Sequence, residues 1–196
     1  MKKRAVFMDR DGTINKDVGY PDSFDLVEIY PFSFEAVRKI NRAGFLAVII
    51  TNQSGVGRGL IQEKKLKNIH NKLKAAFFLK NARIDGIYYC PHYKLSKIAD
   101  YRINCLCRKP NPGLAQKAAR DLNIDLSNSF MIGDKVEDIL FGINIGAKPI
   151  LVLTGYGKQS LPVLNEKGIK PSWIASNLLA GVNWILKDEN KKIPTK

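Results

Sequence analysis

Val6-Phe7-Met8-Asp9-Arg10-Asp11-Gly12-Thr13 is a short apolar strand that ends abruptly in two carboxylates, a glycine and a hydroxyl. On an extended chain residues i and i+2 project to the same side, so Asp9 and Asp11 converge beyond the strand's end. Two buried carboxylates at contact distance repel each other by on the order of several kcal/mol unless a cation or a shared proton relieves them. Mg2+ takes one or two carboxylates together with a substrate phosphate, so it is the natural relief and points to phosphoryl chemistry. The Asp-x-Asp-Gly opening of a calcium loop is excluded, because such a loop needs Gly at its sixth position and Glu at its twelfth; here those positions hold Ile14 and Tyr20. An ordinary Asx-turn at a strand end is the plainer alternative for this stretch taken alone.

Further along the chain the pattern repeats. Ala5–Met8, Leu46–Ile50, Ile87–Tyr89, Phe130–Ile132 and Ile150–Leu153 are apolar without alternation, as in a parallel sheet covered on both faces. Helical periodicity fills the intervals. One helix is expected from Ser33 as N-cap to Arg42, stopped by Gly44; others span Gln62–Lys80, Pro112–Leu122, Val136–Ile145, Gln159–Lys167 and Asn177–Leu186. This predicts an α/β, doubly wound parallel sheet in a single domain over residues 1–187, followed by a frayed basic tail, 188–196. Ligands of such sheets bind beyond the carboxyl ends of the strands, where Asp9, Thr51 and Asp134 each fall.

The chain of 196 residues is 45% hydrophobic and 26% charged, the composition of a globular protein able to bury a core. Met1-Lys2-Lys3-Arg4 imitates the start of a signal peptide, but only Ala5–Met8 follow before Asp9. The longest apolar run, Phe45–Ile50, is too short to span a bilayer. The expectation is a soluble, cytoplasmic protein without a membrane partner. The net charge of +14 raises the question of nucleic acid. Between Gln62 and Lys80, however, six lysines accompany one acid around an apolar stripe of Leu66, Ile69, Leu73 and Phe77, which describes a solvated helix face. His70 borders that stripe and reads as a surface residue. No RNA-binding signature appears, so the surplus charge is expected to serve an anionic small substrate.

Three further clusters follow the strands. Thr51-Asn52-Gln53-Ser54-Gly55 places a hydroxyl and backbone N–H groups where phosphate oxygens bind, with a capping turn as the plainer reading. Arg108-Lys109-Pro110 precedes a helix, where a lysine is badly placed for the helix dipole unless an anion lies there. Gly133-Asp134-Lys135-x-x-Asp138 puts Asp134 in position to complete a cation site with Asp9; Asp138 either orients a neighbour or is a favourable first-turn acid.

All three cysteines sit in one segment, Cys90-Pro91-His92 and Cys105-Leu106-Cys107, separated by the twelve residues Tyr93–Asn104. Three thiolates and an imidazole make a full tetrahedral set for a structural zinc, with no position left for water. Disulfide pairing would strand one thiol and conflicts with a cytoplasmic protein. A loop of this length rarely holds its shape unaided, and clamping it would fix Arg108 and Lys109 over the site.

Asp9-x-Asp11-Gly12-Thr13, Thr51, Lys109 and Gly133-Asp134-x-x-x-Asp138 resemble, in order, the four motifs of the haloacid dehalogenase superfamily of phosphatases. The runs around Asp9–Asn15, Gly19-Tyr20, Thr51–Gly55, Gly86–His92 and Cys105–Pro110 resemble its sugar-bisphosphate phosphatases in particular. The resemblance implies a nucleophile at Asp9, a general acid and base at Asp11, phosphoryl binding by Thr51 and Lys109, and Mg2+ held by Asp9, the Asp11 backbone carbonyl and Asp134. It also implies substrate contacts from Asp17, Val18, Gly19, Tyr20, Asn52, Gln53, Ser54, Arg108, Lys109 and Lys135, and Zn2+ on Cys90, His92, Cys105 and Cys107. No large cap domain is visible, so short loops must shape the pocket. The expected partner is a small sugar bisphosphate, with no nucleic acid, and the chain is expected to act as a monomer. A histidinol-phosphate phosphatase is the near alternative. A polynucleotide 3'-phosphatase and a zinc-stapled nucleic-acid-binding module are remoter ones.

Overall fold

The computed structural model describes residues 2–190. Six parallel strands form one sheet in the order β3-β2-β1-β4-β5-β6. They are β1 (Ala5–Met8), β2 (Leu46–Asn52), β3 (Gly86–Cys90), β4 (Phe130–Gly133), β5 (Lys148–Val152) and β6 (Trp173–Ala175). Pairing of Val6 with both Ala47 and Phe130 puts β1 at the centre, where the strand order reverses. That reversal opens a crevice at the carboxyl ends of β1 and β4.

Alternate side chains of β1 leave on opposite faces, and both faces are covered. Val6 and Met8 pack with Ile49, Ile132 and Ile150 under α1 (Pro31–Arg42), the end of α3 (Glu63–Phe78) and α7 (Leu178–Asn190). Ala5 and Phe7 pack with Val48, Ile50 and Met131 under α4 (Gly113–Leu122) and α5 (Val136–Asn144). The remaining helices are the single turn α2 (Ser54–Gly57) and α6 (Gly157–Glu166), whose Leu164 packs on Leu151. None of the helices among the described residues is long and apolar enough to cross a membrane.

The five strands and six helices expected from the sequence all form, with ends shifted by a few residues, and three local readings change. Ser33 is not the N-cap of α1: Tyr30 is, with Pro31 in the first turn, and the buried Ser33 hydroxyl donates to Ile14 O at 2.8 Å. The fixed φ of proline starts the helix early and leaves the serine free to tie it to the loop after β1. Residues 188–190 continue α7 instead of fraying, because Lys148 Nζ donates to Asp188 Oδ2 at 2.7 Å and Arg4 pairs with Glu189. The rest of the expected tail, 191–196, lies outside the described residues. Finally, β6 and α2 have no counterpart in the sequence pattern. β6 is the three apolar residues Trp173-Ile174-Ala175, too short a run to mark a strand, and Trp173 and Ile174 are exposed at the sheet edge.

Candidate active site

Asp9 follows β1 and is held there by its backbone N–H, which donates to Ile132 O of β4 at 2.9 Å. Its carboxylate meets Lys109. The three N–H bonds of the Lys109 ammonium go to Asp9 Oδ1 (2.8 Å), Asp138 Oδ1 (2.5 Å) and Ile50 O (2.9 Å), which uses all its donors. Asp138 therefore orients the lysine, while its other oxygen accepts the Lys135 backbone N–H at 3.0 Å and caps α5. Asn52 fixes the lysine from behind: Lys109 N donates to Asn52 Oδ1 (3.0 Å) and Asn52 Nδ2 donates to Lys109 O (3.2 Å). Asn52 lines the pocket, but both its amide groups are committed to Lys109.

Asp134 ends β4 with no exposed surface. Its Oδ2 accepts Tyr156 N at 2.7 Å, from the loop after β5. Two glycines make room for it. A Cβ at Gly12 would lie 2.2 Å from Asp134 Oδ2 and one at Gly155 would lie 2.3 Å from it, and both have positive φ. The Thr154 hydroxyl donates to Gly12 O at 2.6 Å and closes this cage.

The Asp11 carboxylate turns toward Arg10 instead of joining Asp9 and Asp134. Arg10 Nε donates to Asp11 Oδ1 (3.0 Å) and its NH2 to Oδ2 (2.8 Å), while Asn15 Nδ2 and Gln53 Nε2 add one bond to each oxygen at 2.9 and 2.8 Å. Any contribution of Asp11 to a cation at Asp9 and Asp134 thus falls to its backbone carbonyl. His70 corrects the surface reading made from sequence. It is 5% exposed, and its Nε2 lies 3.1 Å from Arg10 NH1. The periodicity that puts lysines around α3 leaves His70 on the inner edge of the stripe, over the end of β1.

Burial pushes the Asp9 carboxyl up to about 6, with Asp138 and Asp11 adding to the effect and Lys109 opposing it. Burial also raises Asp134, to about 8, reinforced by the charges of Asp138 and Asp9. For Asp11 burial acts upward too, but the Arg10 charge and the bonds from Arg10, Asn15 and Gln53 outweigh it and hold the carboxyl below its usual value. Burial works against the Lys109 ammonium, yet Asp138 and Asp9 prevail and raise it. One oxygen from each of Asp9, Asp134 and Asp138 lies within 4.8 Å of the others. Three carboxylates against one ammonium leave two negative charges, so the donor set fits a divalent, oxygen-seeking cation.

The pocket above this floor has a volume of about 700 Å³. Asp9, Asp11, Asp17, Gly19, Tyr20, Thr51, Gln53, Ser54, Arg108, Lys109 and Lys135 all line it, as the sequence reading expects. Val18 does not: it is 41% exposed and lies outside the lining, because its neighbours Asp17 and Gly19 take the inward positions. Lys135 Nζ donates to Asp17 Oδ2 at 3.1 Å and lies 4.7 Å from the centre of the Tyr156 ring. Lys94 and Arg108 also line the pocket, and neither forms an ion pair with any described residue.

Cys90, His92, Cys105 and Cys107 converge, their donor atoms within 4.8 Å of one another. His92 Nδ1 is 3.1 Å from Cys107 Sγ and 3.6 Å from Cys90 Sγ, and Cys107 Sγ lies 3.0 Å from Cys105 Sγ. Three soft sulfurs and a nitrogen around one centre fit a closed tetrahedral Zn2+ site. The intervening loop is tied down twice: Tyr93 N donates to Tyr101 O at 2.9 Å, and Tyr101 OH donates to Glu63 Oε2 of α3 at 2.9 Å.

A HAD-hydrolase-like family profile matches residues 106–180. The D-glycero-beta-D-manno-heptose-1,7-bisphosphate 7-phosphatase of Escherichia coli K12 is 36% identical over 189 residues, covering 95% of this chain and 95% of its own. The enzyme of the same name from Vibrio cholerae is 43% identical over 157 residues, covering 79% of this chain and 84% of its own. This chain belongs to the heptose-1,7-bisphosphate 7-phosphatase family of haloacid dehalogenase-like hydrolases. The fold agrees. The crystal structure of D,D-heptose 1,7-bisphosphate phosphatase from B. bronchiseptica, complexed with magnesium and phosphate, is 30% identical, covers 94% of this chain and 99% of its own, and superposes with a TM-score of 0.81.

For a member of this family, the site holds more than sequence reasoning found. Arg10, Asn15 and His70 support Asp11, and the Thr154-Gly155-Tyr156 loop cages Asp134. Arg10 carried a signal in being a cation lodged between two acids. The loop after β5 carried another, since it leaves the same sheet edge as Asp9, Thr51 and Asp134. The contact between His70 and Arg10 joins residues sixty positions apart and left no local mark.

Proposed function

We propose that this protein is a cytoplasmic, Mg2+-dependent phosphatase that removes the C7 phosphate of D-glycero-β-D-manno-heptose 1,7-bisphosphate, a step toward nucleotide-activated heptose for bacterial surface glycans. The observation that carries this reading is the Asp9 carboxylate set between Lys109 and Asp134 at the floor of a pocket with further cations on its walls. The relatives' shared name supplies the substrate and the β anomer.

Asp9 attacks phosphorus and the bond from phosphorus to the C7 oxygen breaks, leaving an aspartyl-phosphate. Asp11 gives its proton to the departing alkoxide, then takes one from the water that attacks the acyl-phosphate, and inorganic phosphate leaves. As Asp9 turns to phosphorus, Lys109 exchanges its bond to Asp9 Oδ1 for one to a phosphoryl oxygen and the Thr51 hydroxyl donates to another, while the negative charge of the incoming phosphate raises Asp11 toward the protonated form its first step needs. Asp9, Asp134 and the Asp11 backbone oxygen would hold Mg2+, which would supply charge neutralisation between the nucleophile and the phosphoryl oxygens. Zn2+ on Cys90, His92, Cys105 and Cys107 is structural, because four protein donors leave it no open position.

Lys94 and Arg108, lining cations without acid partners among the described residues, favour a substrate with a second phosphate. Histidinol phosphate presents an ammonium there and meets repulsion. Turnover of heptose 1,7-bisphosphate, histidinol phosphate and 3'-phosphorylated DNA, measured side by side, tests the reading. Release of one phosphate from the first, with little from the others, is expected, and preference for either competitor overturns the assignment. Asp9→Asn should fold and lose turnover; substantial residual activity would remove the covalent route.

A further inference from the structure

We propose that Arg10, braced by His70, is the residue that positions Asp11 for proton transfer; this rests on the phosphatase reading above. Arg10 is 1% exposed, among the most buried large side chains of the molecule. A guanidinium is rarely taken so far from water unless it is paired, and the carboxylate within ion-pair distance is Asp11. The contact is a two-point fork, Nε to Oδ1 and NH2 to Oδ2, which fixes the plane of the carboxylate as well as its place. Asn15 Nδ2 and Gln53 Nε2 add one donor to each oxygen, and one of these amide bonds gives way when Asp11 takes up its proton.

The rest of the guanidinium is held from outside the pocket. Its NH2 also donates to Gln53 Oε1 at 3.1 Å, and its NH1 faces His70 Nε2 at 3.1 Å. Arginine only donates, so Nε2 accepts and the imidazole carries its proton on Nδ1. Burial and the Arg10 charge agree with that state, lowering His70 to about 3. The ring itself is wedged: it meets Tyr89 edge-on at 5.3 Å, and Tyr89 OH donates to Glu63 Oε1 at 2.6 Å. Asp11 is thus aimed by a rigid support running through α3 and β3, while Asp9 and Lys109 stand on β1, β2 and α5. The two supports meet at the end of β1 and at Gln53, whose Nε2 donates to both Asp11 Oδ2 and Thr51 Oγ1, at 2.8 and 2.9 Å.

The different proton demand of two leaving groups gives the test. Arg10→Lys keeps the charge and loses the fork. Turnover of heptose 1,7-bisphosphate, whose alkoxide needs a proton, should fall by about 10²-fold, with KM within about threefold of wild type. 4-Nitrophenyl phosphate needs no leaving-group proton, so its first turnover should survive: a burst of about one nitrophenolate per chain, then slow hydrolysis of the aspartyl-phosphate. His70→Leu, further from the reacting atoms, should show the same pattern at about tenfold, and His70→Gln, which keeps an acceptor, should recover most of the loss. If Arg10→Lys does not fold, the His70 pair carries the test alone. Loss of the burst together with steady-state turnover, equal slowing of the first turnover of both substrates, or Arg10→Lys and His70→Leu turnover of the bisphosphate within about threefold of wild type would overturn the positioning role. Failure of the wild type to release phosphate, or activity in Asp9→Asn, would instead overturn the underlying reading.

Discussion

Withholding Mg2+ from a protein that keeps its zinc should make stability fall as the pH rises. Asp9, Asp134 and Asp138 share one ammonium, so full ionisation leaves two uncompensated negative charges in a buried cluster. The folded protein answers by holding protons: Asp9 is raised from 3.8 to about 6 and Asp134 from 3.8 to about 8, burial being the largest cause for each. Below the unfolded value both states are protonated and the folded cluster is unstrained. Above it the unfolded chain releases its protons first, and stability is lost until the folded value is passed. The window runs from about pH 4 to about 6 for Asp9 and to about 8 for Asp134. At about 1.4 kcal/mol for each pH interval, Asp9 alone accounts for about 3 kcal/mol. In a chain of this size that is a fall in Tm of about 6–12 °C. Asp134 acts in the same direction, and because the carboxyls repel one another their protons leave in two successive steps that belong to the pair.

A divalent cation neutralises the two surplus charges and restores the ionised form, so its stabilising effect should grow with pH. The assay is thermal denaturation at about pH 5 and about pH 8, each with and without millimolar Mg2+, on protein prepared without chelator. The Mg2+-induced rise in Tm should be several degrees larger at the higher pH, and Asp134→Asn should flatten the metal-free slope. A Mg2+ effect of equal size at both pH values, or metal-free stability that rises over this range, would refute the electrostatic argument.

Gly155→Ala should strain the cage around Asp134, since the added methyl meets both Oδ2 and Gly12 Cα at 2.3 and 2.5 Å; a loss of about 1–3 kcal/mol in chemical denaturation and weaker Mg2+ activation are expected. Asn52→Ala removes both bonds to the Lys109 backbone and should lower kcat at least tenfold while zinc content stays unchanged, with a destabilisation of about 1–3 kcal/mol. Cys105→Ser should reduce bound zinc below one per chain and lower Tm, read by elemental analysis and melting; unchanged metal and Tm would show that the cluster is not a zinc site.

Much of this architecture was legible because buried parallel strands are written as unbroken apolar runs and their ends as polar punctuation. Asp9, Thr51 and Asp134 stand at strand ends, and topology alone brings them to one edge. The Cys/His cluster was legible for a different reason, since Cys90, His92, Cys105 and Cys107 bring their own chemistry wherever the chain turns. What escaped were residues whose role depends on tertiary packing. His70 reads as one more polar position on a lysine-rich helix until α3 is laid across the end of β1. Ser33 reads as a cap until Pro31 starts the helix two residues earlier. Trp173 and Ile174 form a strand only because β5 offers them a partner edge.

The placement of Lys109 shows why the zinc loop and the phosphoryl site are one construction. The lysine must be buried between two acids, yet it sits on a connection with no strand or helix of its own. Its position is imposed from three sides: Asn52 grips its backbone, Asp9 and Asp138 grip its ammonium, and Cys107 stands two residues before it. The turn between is equally constrained. Gly113 N donates to Leu106 O at 2.8 Å, Asn111 Nδ2 donates to Cys105 O at 3.1 Å, and a Cβ at Gly113 would lie 2.5 Å from Leu106 O. Loosening the thiolate cluster therefore moves the anchor of Lys109, while loosening Lys109 leaves Asp9 and Asp138 facing each other unshielded. The Cys/His cluster on one side of the pocket and the Lys109 charge balance on the other are joined by this short turn, so loosening the cluster should lower turnover through Lys109.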